Sequence, residues 1–185
     1  MIPITALWLP IVLSAVLVFI ASAIIHMVLR YHRSDFRKLP NEESLLEALG
    51  AEELPPGNYV FPHAGSPKEM GSPKMLKKYE KGPVGLMNVI PNGPPALGKQ
   101  LAQWFVYCLV VGACVAYLTG RSLDADAHYL AVFRIAGTTA FLCYSGSVAV
   151  ESIFKGQTWS SACKNIFDGF VYATLTAGAF GWLWP

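Results

Sequence analysis

The sequence predicts an all-α membrane protein with four transmembrane helices and a small α+β cytoplasmic insert between helices 1 and 2. Three observations support this fold class. Four stretches are almost free of charge, and each is close to the ~20 apolar residues that cross a ~30 Å hydrocarbon core as a helix. Only 14% of the 185 residues are charged, whereas soluble domains carry about 25%. One polar segment stands apart, and it holds ten of the 13 prolines.

The four apolar stretches are too long to be strands, which usually run about 4–8 residues. Within lipid, a helix also satisfies its own backbone hydrogen bonds, as a single strand does not. The predicted transmembrane helices cover residues 4–29, 101–119, 129–150 and 166–184, and the predicted insert covers residues 30–100.

The first span carries positive charge only on its C-terminal side, at Arg30, Arg33, Arg37 and Lys38. No basic region precedes it, so we expect an uncleaved anchor and not a signal peptide. Lys and Arg in short flanks mark the cytoplasmic side. With the N-terminus outside, twelve of the 14 Lys and Arg lie inside. We therefore expect a multi-pass protein of the cytoplasmic (inner) membrane, with both termini extracytoplasmic.

The polar insert carries capping and turn signals for an αβαβ arrangement. Asn41 is placed to cap a short helix that ends at Gly50. Extended pieces are predicted at residues 59–61 and 84–90. Between them, Ser72 followed by proline starts a helix over residues 73–81. Three side chains of this second helix are expected to face inward: Met75, Leu76 and Tyr79.

Small residues recur every four positions in the second and fourth spans. Close packing of small residues drives helix association in lipid, so these stripes predict helix–helix contacts. A substrate path lined by small residues is the alternative interpretation. The predicted helix-packing residues are Gly112, Ala116, Gly169, Ala173, Ala177 and Gly181.

Each span contributes one polar residue near the predicted cytoplasmic edge. The resulting candidate polar cluster consists of His26, Gln103, Glu151 and Asp168. An acidic side chain inside a span is costly, by about 2.5–3.5 kcal/mol at the centre. The structural interpretation of Asp168 is a pair with Lys164, one turn earlier. The functional interpretation is a proton, cation or ligand site.

Arg134 is the one basic residue inside a predicted span. Its depth differs from that of Asp168 by about 18 Å at 1.5 Å per residue, so the two are not expected to pair. We expect Arg134 to reach outward to the interface. A contact with a lipid headgroup or an anionic ligand is the alternative.

No cofactor and no metal site are predicted. A bundle haem would usually need two histidines at one depth, but His26 and His128 lie at opposite ends, and His32 and His63 lie outside the bilayer. A histidine with carboxylates suffices for a metal, but no paired ligand motif, phosphate-binding loop or nucleophile elbow occurs. A satisfied hydrogen-bond network is therefore favoured for the polar cluster. Nucleic acid is not expected as a partner, because the basic residues follow the membrane edge.

Four segments carry a resemblance to a known family. They are PPGNYVFPH, GPPALGKQLAQWFVYCLVV, YLAVFRIAGTTAFL and TAGAFGWLWP. Together they resemble an uncharacterised family of bacterial four-span integral membrane proteins, and the resemblance covers almost the whole chain. It implies the four-span fold, and it implies no activity, cofactor or catalytic residue.

Without a catalytic motif, the favoured function is that of a non-enzymatic accessory or interaction subunit of the cytoplasmic membrane. Its expected partners are the lipid bilayer and a homo-oligomer or larger membrane complex. One alternative is a small transporter or channel that uses the inner polar cluster, and another is a membrane-embedded enzyme. A water-filled cavity reaching Asp168 would favour transport, whereas a closed pocket with convergent polar groups would favour an enzyme.

Overall fold

The computed structural model describes every residue, Met1–Pro185. The chain divides into two units, one formed by Met1–Phe36 with Ala96–Pro185 and the other by Arg37–Pro95. The first unit is entirely helical and the second combines helices with two strands. The prediction of a mostly α-helical chain is confirmed. The polar unit is shorter at both ends than the predicted insert at residues 30–100, because the flanking turns belong to the helical unit.

The helical unit begins with an apolar helix that changes its winding at both ends. A 3-10 turn at Ile4–Leu7 leads into α1, Trp8–Ala23. A π-helical turn, Ile24–Val28, follows directly, and a second 3-10 turn covers Tyr31–Asp35. A π turn holds one residue more than an α-helical turn, and such turns recur at functional sites.

The polar unit has the predicted elements and one additional short helix. Its elements are α2 (Glu42–Ala51), β1 (Gly57–Phe61), α3 (Pro67–Met70), α4 (Pro73–Lys81) and β2 (Gly85–Val89). The two strands pair antiparallel, from Gly57 opposite Val89 to Phe61 opposite Gly85.

Of the two predicted caps in the polar unit, Ser72 is confirmed, whereas Asn41 precedes α2 but makes no capping side-chain hydrogen bond. The Ser72 hydroxyl accepts a hydrogen bond from the Met75 backbone N–H, as an N-cap does. Met75 is 3% exposed, but Leu76 is 48% exposed, so its predicted inward position is wrong. Successive helical residues point about 100° apart, so a single narrow contact buries only one of two neighbours.

Four further helices complete the helical unit: α5 (Leu97–Ser122), α6 (Tyr129–Ser145), α7 (Val148–Lys155) and α8 (Trp159–Trp182). α1 packs against α5 and α8, and α6 packs against the same two helices. These contacts close a four-helix arrangement of α1, α5, α6 and α8. Its interior includes Leu7, Val115, Val132 and Phe180, none of which is exposed to solvent.

The small residues of α5 and α8 lie where neighbouring helices approach closely. A Cβ atom added to Gly112 would lie 3.2 Å from the Ile11 Cγ2 atom of α1. On α8, a Cβ atom at Gly169 would overlap the Ser145 hydroxyl of α6, and one at Gly181 would lie 2.6 Å from the Tyr129 ring. The alanines of both stripes are buried, namely Ala116, Ala173 and Ala177.

Two helical stretches are long and apolar enough to cross a membrane by length and composition. Ile4–Val28 has 25 residues and a mean hydropathy of 2.7, and Leu97–Ser122 has 26 residues and a mean hydropathy of 1.9. The third predicted span, residues 129–150, is divided between α6 and α7. The backbone at Gly146 separates them, where an added Cβ atom would overlap the Leu142 carbonyl oxygen. The helix that corresponds to the fourth predicted span, α8, begins at Trp159, seven residues before the predicted start at residue 166.

Candidate functional site

The candidate site lies where α8 meets the 3-10 turn Tyr31–Asp35. Two charged residues of α8, Lys164 and Asp168, are four positions apart and therefore lie on one face of the helix. Opposite them, the short turn presents His32 and Asp35, three positions apart. The two spacings allow His32 to contact Asp168 while Asp35 contacts Lys164.

Asp168 is the centre of the site, and its side chain is only 4% exposed. Its Oδ2 atom lies 2.7 Å from the His32 Nε2 atom and 4.0 Å from the His26 Nε2 atom. Its Oδ1 atom accepts a hydrogen bond from the Tyr31 hydroxyl. A buried carboxylate is stable only when such donors replace water, and both of its oxygens are engaged here.

The hydrogen bonds continue from His32 to Lys164. The His32 Nδ1 atom lies 2.6 Å from the Asp35 Oδ2 atom, and the Lys164 ammonium donates to Asp35 Oδ1 at 2.6 Å. The same ammonium donates to the Tyr31 carbonyl oxygen at 2.8 Å and to the Ser34 hydroxyl at 2.7 Å. Lys164, Asp35, His32 and Asp168 thus form one continuous chain, called the charge chain below, and no buried charge in it lacks a partner.

Contacts within and beside the charge chain shift the pKa values of Asp35 and Tyr31. The hydrogen bond from Lys164 is the largest influence on the pKa of Asp35 and holds it below the usual value, with His32 acting in the same direction. Burial raises the pKa of the Tyr31 phenol, and its hydrogen bond to the Asp168 carboxylate raises it further. Tyr31 therefore stays protonated and remains a hydrogen-bond donor across the physiological range.

His26 approaches the same carboxylate from the π-helical turn. Its ring centroid lies 4.6 Å from that of His32, and its side chain is 51% exposed. His26, His32 and Asp168 each offer one nitrogen or oxygen atom, and these three atoms lie within 4.8 Å of one another. Two imidazoles and one carboxylate can bind a proton or a transition metal.

A cavity of about 510 Å³ opens beside this group and is lined by residues of the helical unit. His26, Asn165 and Asp168 are among its polar lining residues. Aromatic rings form much of the remaining wall, and the Tyr172 ring centroid lies 5.9 Å from that of Trp104 and 5.5 Å from that of Tyr144. Small-molecule sites commonly combine such apolar walls with a few convergent polar groups.

Tyr172 has a second property that concerns the cavity. Its side chain is 5% exposed, and its hydroxyl has no hydrogen-bond partner. A buried hydroxyl is nearly always hydrogen-bonded, so an unpartnered one calls for an explanation.

Comparison of the chain with protein-family models, curated proteins and solved structures finds no match. Function must therefore be argued from the site itself.

The structure brings together two of the four residues in the predicted polar cluster, His26 and Asp168. Gln103 is exposed on α5. Glu151 lies on α7, where its carboxylate pairs with Lys155 at 2.8 Å. Lys164 was predicted to pair with Asp168, but it binds Asp35 instead, because the Tyr31–Asp35 turn offers it three acceptors.

Arg134 lies on the exposed surface of α6 and forms no ion pair with Asp168 or any other residue. It lines a shallow depression of about 360 Å³ together with Phe133, Phe141 and Phe170. Of these three rings only Phe170 is exposed, and the alternative of a contact with a lipid headgroup or an anionic ligand stays a prediction.

Sequence reasoning missed Tyr31, His32 and Asp35. Their spacing relative to one another was visible, but their partners on α8 are 129 to 137 residues away in the chain. The one available signal was the combination of His32 and Asp35 at i,i+3 with Lys164 and Asp168 at i,i+4, which places complementary charges on two helical faces.

Proposed function

We propose that this chain is a four-span protein of the cytoplasmic membrane that binds a ligand in the cavity beside Asp168 and serves as a non-enzymatic accessory protein. One observation carries the proposal. Tyr172, whose buried hydroxyl has no hydrogen-bond partner, and the buried Asp168 both line one cavity. A ligand with a hydrogen-bonding group would satisfy the hydroxyl, as buried polar groups require.

The surface of the four-helix arrangement supports immersion in lipid. Large apolar side chains are exposed on every long helix, including Leu142 of α6 at 62% and Phe170 of α8 at 56%. Soluble monomers rarely expose extended apolar surface. α8 has 24 residues and α6 has 17, within the range of about 17–25 residues found for membrane-crossing helices.

The distribution of basic residues supports an inner position for the site. Twelve of the 14 Lys and Arg lie in the two segments predicted to be inside, residues 30–100 and 151–165. Under the positive-inside rule, the side that holds these segments is cytoplasmic. The cavity would then open at the inner edge of the membrane, and both termini would lie outside.

A cysteine-labelling experiment tests the proposal. In a variant without the four native cysteines, Asn165→Cys places a thiol in the cavity wall, and Ala140→Cys places one at a fully buried control position. We expect a membrane-impermeant maleimide to label Asn165→Cys in inside-out vesicles only and to leave Ala140→Cys unmodified. Labelling of Asn165→Cys from the opposite face, or equal labelling of both positions, would contradict the proposal.

Transport is the second candidate, and the 4.0 Å approach of His26 to Asp168 favours it. Carboxylate and histidine groups inside membrane bundles form proton relays in pumps and transporters. Purified protein in proteoliposomes would be tested for proton or cation uptake, with Asp168→Asn as the matched variant. Uptake by the wild type that disappears in Asp168→Asn would place transport above the accessory role.

A further inference from the structure

We infer that His26, His32 and Asp168 form a binding site for a divalent first-row transition metal. Three donor atoms converge, since His26 Nε2 and His32 Nε2 both face the Asp168 Oδ2 atom, at 4.0 and 2.7 Å. This inference rests on the proposed cavity, because His26 and Asp168 line it.

The atoms behind the donors are arranged as they are around bound metals. A metal-ligating histidine usually donates its other ring N–H to a carboxylate, and a ligating carboxylate is itself hydrogen-bonded. His32 Nδ1 lies 2.6 Å from Asp35 Oδ2, and this contact would keep the ring N–H on Nδ1 when a metal takes the place of the proton between Nε2 and Asp168. Tyr31 donates to Asp168 Oδ1 and leaves Oδ2 for the metal. Lys164 in turn holds Asp35 at 2.6 Å.

The spacing requires little movement. Two donors bound at about 2.0–2.1 Å around a tetrahedral ion are about 3.3 Å apart. The His26–Asp168 distance of 4.0 Å is slightly above that value and the His32–Asp168 distance of 2.7 Å is slightly below it. Any proton between His32 Nε2 and Asp168 must leave to solvent when the metal takes its place, so binding releases protons.

The donor set selects the class of metal. Imidazole nitrogens favour zinc, iron, cobalt, nickel and copper, whereas magnesium and calcium prefer oxygen donors. With both histidines neutral, Asp168 and Asp35 outweigh Lys164 by one negative charge, which favours a cation. Three protein ligands also leave one coordination position open. The ligand proposed for the cavity would supply the remaining donor.

Cobalt(II) is the probe, because its visible absorption reports tetrahedral coordination. The full chain is purified in mild detergent without native cysteines or a histidine tag, treated with chelator and titrated. We expect one Co²⁺ per chain, displaced by Zn²⁺ and unaffected by excess Mg²⁺ or Ca²⁺. Changes to outer-shell residues typically cost about 10–100-fold in affinity, so Asp35→Asn should lose that much and His26→Gln at least about 100-fold.

His63→Gln is the matched control, because His63 is exposed in the polar unit. It should bind Co²⁺ with wild-type affinity. His26 makes no hydrogen bond of its own in the structure, so His26→Gln should keep the wild-type helical circular-dichroism spectrum. Absence of stoichiometric binding by folded wild type, or equal affinity in His26→Gln, would overturn the metal site. Cobalt binding and circular dichroism are measured in detergent, whereas the labelling of Asn165→Cys is measured in vesicles. A failed labelling pattern would therefore contradict the proposed function and leave the test of the metal site unchanged.

Discussion

The Nε2 atom of His32 lies 2.7 Å from the Oδ2 atom of Asp168, although 136 residues separate the two in the chain. This contact ties the segment that follows α1 to α8. It also brings His32 between two carboxylates, because Asp35 lies 2.6 Å from the other ring nitrogen. Carboxylates only accept hydrogen bonds, so a protonated ring donates to both, and a neutral ring donates to one and leaves a lone pair for another ligand.

Replacing Asp168 with asparagine should destabilise the protein more than an average polar contact in a membrane bundle would suggest. Membrane hydrogen bonds average about 0.6 kcal/mol. Here both carboxylate oxygens accept hydrogen bonds, one from Tyr31 and one from His32. The asparagine side chain replaces one of these acceptors with an NH2 group, which is itself a donor and would face the donor of Tyr31 or His32. We expect a loss of about 1–3 kcal/mol, measured by thermal unfolding in mild detergent. Asp124→Asn is the control, since Asp124 is 90% exposed, and an unchanged melting temperature for Asp168→Asn would contradict this prediction.

Two lysine–carboxylate pairs of similar length should differ in energetic weight because they differ in exposure. Lys164 lies 2.6 Å from Asp35 with side chains 19% and 9% exposed, and Lys155 lies 2.8 Å from Glu151 with side chains 60% and 42% exposed. Exposed pairs contribute about 0–1 kcal/mol. Lys155→Met should therefore leave the melting temperature nearly unchanged, and Lys164→Met should lower it by several degrees. Equal shifts in the two variants would show that the buried Lys164–Asp35 pair adds no more stability than the exposed Lys155–Glu151 pair.

Acidification should weaken the fold through Asp35. Its pKa is lower in the folded protein than in the unfolded chain, chiefly because of the hydrogen bond from Lys164. The stabilisation is therefore fully present above the unfolded pKa of about 3.9 and is lost as the pH falls through the lower folded value. The difference in melting temperature between wild type and Asp35→Asn, measured between pH 7 and pH 3, should narrow towards the acid end. A constant difference across that range would exclude Asp35 as the source.

The contact between α6 and α8 should depend on the absence of a side chain at Gly169. A Cβ atom there would overlap the Ser145 hydroxyl, whereas one at Gly178 on the same helix would meet nothing within 4 Å. Overpacking typically costs about 1–3 kcal/mol. Gly169→Ala should be destabilised by that amount, and Gly178→Ala should be neutral or slightly stabilised.

A second substitution tests the cause. With Ser145→Ala, the nearest remaining side-chain atom of residue 145 lies 3.2 Å from the added Cβ atom. Ser145→Ala in the Gly169→Ala background should therefore restore part of the lost stability, measured by thermal unfolding. Loss of the same size in Gly178→Ala would indicate that helix flexibility, and not packing, matters.

Local signals in the sequence predicted the polar unit well. Ser72 caps α4, and the two extended pieces form β1 and β2, because a cap and the pattern of a single strand depend on residues within a few positions of one another. The break between α6 and α7 coincides with three small residues, Ser145, Gly146 and Ser147. The apolar residues on both sides of them nevertheless favour one continuous helix in the sequence.

The candidate site could be predicted only in part. Asp168 was identified because a lone acidic residue in an apolar stretch is costly, and His26 because it ends the first stretch. His32 is predicted to lie outside the bilayer, and no property of the sequence indicates that its turn folds back onto α8. Contacts between residues more than 100 positions apart depend on the arrangement of whole helices, which composition and spacing do not encode.

The charge chain also bears on how the protein is made. Synthesis proceeds from the N-terminus, so the segment Tyr31–Asp35 exists before the ribosome reaches α8. In the proposed four-span arrangement, Asp168 therefore enters the membrane when its partners in the turn have already been made, which reduces the cost of placing a charge in a transmembrane helix. A nascent chain that stops before Trp159 lacks Asp168 and Lys164, the α8 partners of His32 and Asp35. The charge chain is therefore complete only when α8 has been made.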